Sequence, residues 1–196
     1  VIVVKLGGSL CNTPELKLWL QTLADTSIST PIIIVPGGGP FADQVREAQT
    51  FHHFNDTAAH HMALIAMKQF GLMLTALEAK CQPFDAHQPE QPLSVWLPDD
   101  TLLSEPALIH SWDLTSDSLA LWLASKLKAE QLLLVKHIHI SSTSIKHLSD
   151  NHIIDRSFAS LFADYSIQTS IIHYQSYAGF ANTIANPNNE TCLSLY

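Results

Sequence analysis

Two short stretches, Val1-Ile-Val-Val-Lys5-Leu6 and Ile32-Ile-Ile-Val35, are apolar at nearly every position and stop at glycines: Gly7-Gly8-Ser9 and Pro36-Gly37-Gly38-Gly39-Pro40. A strand wet on one face alternates apolar and polar residues. A run without alternation belongs in a sheet covered on both sides, the habit of parallel strands. Five of the seven glycines lie in these two loops. Glycine lets main-chain N–H groups close on an anion with no Cβ in the way, and a helix opening directly afterwards adds its positive end. Two such loops point to an enzyme that grips two phosphate-bearing or anionic groups at once. Neither is a Walker A motif, which needs a four-residue spacer followed by Gly-Lys-Ser/Thr.

Strand and helix patterns alternate along the rest of the chain. The periodicity predicts a helix over residues 13–24, with Thr13 as cap, Pro14 at its first position and Leu16, Trp19, Leu20 and Leu23 on its apolar side. A helix starts at 41 after the triple glycine. A longer one follows a cap at Asn55, Asp56 or Thr57, with Ala59, Met62, Ala66, Phe70, Met73 and Leu77 spaced by three and four. Residues 83–92 read as a polar loop and 94–97 as a short strand. After Asp113-Leu-Thr-Ser-Asp117 a helix runs to about 128, followed by a strand at 132–136, a helix at 155–163 and strands at 170–173 and 190–195. The alternation predicts an α/β fold with a largely parallel sheet covered on both faces. A lobe junction is expected between His110 and Asp113, dividing one domain into residues 1–111 and 112–196.

The composition, 46% hydrophobic and 14% charged, supports a sizeable core, and no apolar run reaches the roughly 18–20 residues that span a bilayer. The first strand lacks the basic flank and cleavage site of a signal peptide, although the chain starts at Val1 and leading residues are expected to be missing. Cys11, Cys81 and Cys192 are odd in number and far apart, which argues against a disulfide framework. A cytoplasmic protein is expected. Its net charge of −8, with ten Lys plus Arg, disfavours nucleic acid and anionic membranes as partners. Anion binding must then use local positive charge, and Lys5 is the first candidate. A buried ammonium is costly unless paired, so Lys5 either snorkels from the strand end or serves the glycine loops.

Other candidates each have a plainer role. Asp117 and Asp113 sit near a helix start, where a carboxylate is favourable without any chemistry. Arg46, one to two turns into the helix after the triple glycine, either forks onto an acceptor phosphate or lies in solvent. His60 either orients such a phosphate or simply packs, and Lys136 at a strand end is placed to bind a nucleotide phosphate. Eleven histidines invite a metal reading, but no pair has the helical i, i+4 spacing of a zinc enzyme, so no metal site is assigned.

Val4-Lys5-Leu-Gly-Gly-Ser9, Val35-Pro-Gly-Gly-Gly-Pro40, and Asp113-Leu-Thr-Ser-Asp117 before Leu132-Leu-Leu-Val-Lys136 together resemble the amino acid kinase family, the group of acetylglutamate, carbamate, uridylate and isopentenyl phosphate kinases. Within it, Pro40-Phe-Ala-Asp-Gln-Val-Arg46 and Ala59-His-His-Met-Ala-Leu-Ile-Ala-Met-Lys-Gln-Phe-Gly71 resemble aminomethylfuran-methanol phosphate kinases of methanofuran synthesis. The resemblance implies a three-layer αβα sandwich, an acceptor in the N-terminal half and ATP with Mg²⁺ in the C-terminal half. It implies that Lys5 contacts the phosphoryl group in flight and that Asp117 holds lysines in place. Gly7, Gly8, Ser9, Gly37, Gly38 and Gly39 would give N–H groups to phosphates, with Asp113 and Lys136 on the nucleotide and Arg46 and His60 on the acceptor. The acceptor would be a small phosphorylated molecule converted to a diphosphate, and the enzyme a homodimer or higher homo-oligomer.

The C-terminal third departs from that family. Its kinases follow the strand with an Asp-Val-Asp-Gly type turn; here the residues are Lys136-His-Ile-His-Ile-Ser-Ser-Thr-Ser144. The family's late lysine and glycine-rich return are not evident in residues 177–192 either. A kinase with a trimmed nucleotide site, a different donor and a non-catalytic binding or assembly subunit all remain open at this stage.

Overall fold

The computed structural model describes every residue except 89, 90, 141, 142, 166, 187–191 and 196. Its strands are β1 (Ile2–Leu6), β2 (Ile32–Pro36), β3 (Gln82–Pro83), β4 (Leu93–Val95), β5 (Gln131–Lys136), β6 (Gln168–His173) and β7 (Cys192–Ser194). The helices are α1 (Glu15–Thr26), α2 (Gly39–His52), α3 (Asp56–Leu77), α4 (Ser116–Lys126), α5 (Ile145–Asp150), α6 (Arg156–Asp164) and α7 (Phe180–Ala185). Among the described residues the strands form one sheet in the order β3-β4-β2-β1-β5-β6-β7, parallel except for β7, which runs against β6. Helices cover both faces, giving the expected three-layer αβα sandwich.

β1 is the pivot. Its neighbours are β2 on one side and β5 on the other, both parallel to it. The chain leaves β1 toward one edge and returns to build the other, so a crevice opens beyond the carboxyl ends of the strands, where open α/β sheets bind ligands. Both glycine loops and Lys136 stand at those ends.

The two-residue period of the strands decides which side chains face which layer. Val3 of β1 and Leu132 and Leu134 of β5 enter the core shared with Leu119 and Leu123 of α4 and Phe158 of α6. Ile2, Val4 and Leu6 point the other way, against Leu16, Trp19, Leu20 and Leu23 of α1 and Phe180 of α7. Lys5 follows Val3, and Lys136 follows Leu134. Both lysines therefore extend toward α4.

Several boundaries differ from those read in the sequence. α1 begins at Glu15, with Pro14 as its N-cap; the Thr13 hydroxyl donates to the Leu10 carbonyl at 3.0 Å instead of capping the helix. α2 starts inside the glycine run rather than after it. α3 has the expected cap, Asn55, whose side chain accepts from the Ala58 N–H at 2.8 Å. Its inferred face is buried at Ala59, Ala66 and Phe70, but Met62 and Leu77 are exposed, and Leu64, Met67 and Leu74 are inside as well. Leu64 and Met67 join the core of one sheet face, and Phe70 and Leu74 that of the other, so the buried stripe turns around the axis. The closing strand matches β7, although residues 190 and 191 lie outside the described residues. No described helix is long and apolar enough to cross a membrane.

Candidate active site

The two glycine loops touch each other. A Cβ on Gly8 would overlap the backbone N and Cα of Gly39, and one on Gly37 would overlap the backbone N of Gly8. Gly39 also has φ of 55°, a left-handed conformation that side chains disfavour. Much of the glycine is thus required for loop-on-loop packing, before any ligand is considered. That contact brings the short 3-10 turn Gly8–Leu10 against the start of α2.

A cavity of about 420 Å³ opens where the loops meet. Gly8, Ser9, Gly38 and Gly39 line one end, and Ala63, Leu64, Met67 and Leu119 supply apolar wall. A second cavity, of about 490 Å³, is lined by Asp113, Asp117, Lys136, Asp155 and Arg156. Arg46, Trp112 and Thr115 border both, so the two hollows adjoin. The first-turn amides of a helix have no intrahelical partner, and α2 opens onto the first cavity.

Beneath lies a buried charge cluster. Lys5 Nζ is 2.9 Å from Asp117 Oδ1, and Lys136 Nζ is 2.5 Å from Asp117 Oδ2. The Lys136 ammonium also donates to the Ile153 carbonyl at 2.6 Å. Lys5 contacts Oδ1 as an ion pair without a directed hydrogen bond, since that oxygen is left without a hydrogen-bonded partner. Burial raises the Asp117 carboxyl, but Lys136 and Lys5 outweigh it and hold the group down at about 2. Burial, with repulsion from Lys5, lowers Lys136 to about 8 against the pull of Asp117. One carboxylate between two ammonium groups leaves this trio with a net positive charge beneath the cavities.

Asp155 fixes that carboxylate's helix. It is the N-cap of α6, accepting from the Phe158 N–H at 3.1 Å. It also accepts from the Thr115 N–H and hydroxyl, each at 2.9 Å, from the Ser118 N–H at 3.0 Å, and from the Ser118 hydroxyl. Thr115 makes no side-chain cap of its own. Burial, then the charge of Asp117, raises the Asp155 carboxyl.

The structure brings Gly8, Ser9, Gly38, Gly39, Arg46 and His60 to the first cavity and Asp113, Asp117 and Lys136 to the second. Lys5 lies beneath on Asp117 rather than in either lining. Gly7 and Gly37 are not lining residues. A Cβ on Gly7 would meet the Val135 carbonyl at 3.1 Å, and the Gly37 N–H donates to the Leu6 carbonyl at 2.9 Å. The expectation that Gly37 offers this N–H to phosphate is corrected accordingly, because the amide is engaged within the fold.

Arg46 is neither free nor simply solvated. Its Cζ lies 4.2 Å from the Trp112 ring centroid, and its Nη1 is 2.9 Å from Asp43 Oδ1. Trp112 in turn donates to Gln49 Oε1 at 2.6 Å. Asp113 is half exposed, 3.5 Å from Arg156. His60 is buried and stacked on His110 at 5.1 Å, with Nε2 lacking a partner. Burial and the neighbouring His110 lower it to about 4. Sequence reasoning missed Asp155, Trp112 and Arg156. An Asp before a helical pattern signals a cap, but only the fold shows that Asp155 caps two helices.

Residues 1–89 match the profile of the amino acid kinase family. Across 192 residues the chain is 26% identical to [5-(aminomethyl)furan-3-yl]methyl phosphate kinase of Methanocaldococcus jannaschii, covering 87% of each protein. The chain is thus similar to the amino acid kinase family. The kinase superposes on uridylate kinase from Archaeoglobus fulgidus with TM-score 0.73 at 15% identity, covering 100% of this chain and 99% of that one. UMP kinase from Ureaplasma parvum gives 0.71 at 12% identity, covering 99% and 97%. Aspartate kinase from Synechocystis gives 0.66 at 14%, covering 90% of this chain and 38% of that one. At such identities these structures establish the fold. The family match and the kinase relative together support an ATP-dependent phosphotransferase.

Proposed function

We propose that the enzyme transfers the γ-phosphoryl group of ATP to a phosphate-bearing acceptor, giving a diphosphate. The acceptor is an aminomethylfuran-methanol phosphate, made in a methanofuran-type cofactor pathway in the cytoplasm. The name of the 26% identical relative supports that acceptor. The observation that carries the reading is the Lys5–Asp117–Lys136 cluster beneath two adjoining cavities.

An acceptor phosphate is already ionised near neutral pH, so the reaction needs no general base. Its barrier is the repulsion between two anions, and the protein lowers it by alignment and fixed positive charge. The acceptor phosphate sits at the glycine loops, against amides of Gly8, Ser9, Gly38 and Gly39, with Arg46 alongside. ATP phosphates occupy the second cavity beside Lys136. An acceptor oxygen attacks Pγ, a P–O–P bond forms, the bond from Pγ to the ADP oxygen breaks, and ADP leaves with the electron pair. Lys5, held by Asp117, stabilises the charge on the group in flight. In this arrangement residues 1–111 serve the acceptor and 112–196 the nucleotide.

Among the described residues no three His, Cys, Asp or Glu side chains are grouped to hold a metal ion. Mg²⁺ in phosphoryl transfer is held mainly by phosphates and water, with one or two carboxylates. Asp113, on the rim of the second cavity and half exposed, fits that carboxylate role. The ion would draw charge from the phosphates when it arrives with the nucleotide. A homo-oligomer is part of this reading.

The test incubates the purified protein with Mg-ATP and the aminomethylfuran-methanol phosphate and follows the products by ³¹P NMR. A diphosphate monoester and ADP are expected. ATP binding without either product would leave a non-catalytic ligand-binding subunit and overturn the reading.

A further inference from the structure

The cavity at the glycine loops contains a charge that an anionic acceptor does not want. Asp43, one turn into α2, is the one Asp or Glu in its lining among the described residues. Its Oδ1 takes Arg46 Nη1 at 2.9 Å, while Oδ2 has no partner among the described residues, and the side chain is 62% exposed. A carboxylate here repels a phosphate anywhere within a screening length of ~8 Å. It becomes useful if the acceptor carries a cation at the end away from its phosphate.

The rest of the cavity agrees with such a molecule. A helical turn rises about 5.4 Å, so Asp43 stands roughly the width of a small ring from the amides that open α2. Ala63, Leu64 and Met67 supply apolar wall for that ring. His60 adds no competing positive charge, because its imidazole is buried against His110. We propose that Asp43 recognises a primary ammonium on the acceptor, so that the enzyme selects zwitterionic phosphate esters over purely anionic ones. This rests on the phosphate-acceptor reading and assigns a specificity residue to it.

The experiment compares the aminomethylfuran-methanol phosphate with the same ester bearing methyl in place of aminomethyl. Both are assayed on the wild-type protein and on Asp43→Asn and Asp43→Glu variants. The wild type is expected to prefer the amine in kcat/KM by roughly ten- to a hundredfold, the scale of a charge-assisted hydrogen bond. Asp43→Asn should collapse that ratio toward one through KM, and Asp43→Glu should restore part of it. If Asp43 only positions Arg46, the Asn variant loses activity equally on both esters, which overturns the inference. Equal use of both esters by the wild type also overturns it, leaving the phosphate-acceptor reading intact. Turnover of neither ester overturns both.

Discussion

Lys136 and Asp117 lie 19 residues apart in sequence and 2.5 Å apart in space, with Lys5 on the other oxygen of the same carboxylate. Two strands and a helix thus share one counter-ion. The two lysines depend on Asp117 to coexist, and their surplus charge is what two phosphates would meet.

The alkaline behaviour of Lys136 is the first test. Burial and Lys5 hold its ammonium at about 8, below the ordinary lysine value. Turnover should fall as pH rises through about 8 and the cation is lost. Lys136→Arg, charged to above ~12, should abolish that limb. Stability should move oppositely. The unfolded chain binds the extra proton between about 8 and ~10.4, so this group's contribution rises with pH across that window. Denaturant melts of wild type and Lys136→Met would show it as a difference in slope; parallel curves would refute it.

Removing the proposed catalytic cation, Lys5, should separate rate from binding. Lys5→Met is expected to lower kcat by roughly 10²–10³, the effect of losing one preorganised donor, with little change in KM for ATP. A variant with wild-type kcat would remove Lys5 from the transfer step.

Asp117→Asn leaves two adjacent ammonium groups without their counter-ion, and breaking a buried pair in this way costs about 3–5 kcal/mol. Chemical denaturation should report it. Asp117 is held down at about 2. Its stabilisation is therefore fully present above the ordinary carboxylate value of ~3.9 and fades as pH falls from there toward about 2. Acid unfolding of the Asn variant should lose that component.

Gly8→Ala tests the contact between loops. The added Cβ meets Gly39 backbone, which has no flexible end to yield. Overpacking of this kind costs typically 1–3 kcal/mol. The shift should also separate the two rows of amides and reduce kcat/KM more than the melting temperature alone explains. Unchanged kinetics would show that the loops need no contact to work.

Asp155→Ala removes caps from two helices at once. A single lost cap costs ~1 kcal/mol and leaves its donors unsatisfied, so about 2 kcal/mol or more is expected from thermal or denaturant unfolding. Asp155→Asn, which keeps one acceptor oxygen, should recover part. Because Ser118 follows Asp117, the Ala variant should also disturb the Lys136 titration.

The apolar runs of β1, β2 and β5 and the glycines that end them were legible because they are local: each residue reports its own burial or its own turn. The direction of Lys5 follows from the same period-two rule, one step beyond Val3. Thr13 was misread because its hydroxyl had a second partner, the Leu10 carbonyl, within reach. Met62 and Leu77 were misread because helical spacing assumes one buried face, and α3 serves two cores. The three glycines at 37–39 read as a phosphate cradle; part of their reason is the neighbouring loop.

By itself the sequence determined a two-sided sheet, its glycine-ended strands and the presence of a lone lysine in an apolar run, since these depend on residues close together in the chain. Only the tertiary structure decided that β5 lies beside β1, that Lys136 completes the pair on Asp117, and that Asp155 reaches back to cap α4. Those relations join residues from 19 to 129 positions apart. Their formation depends on strand order and helix packing, which no local pattern encodes.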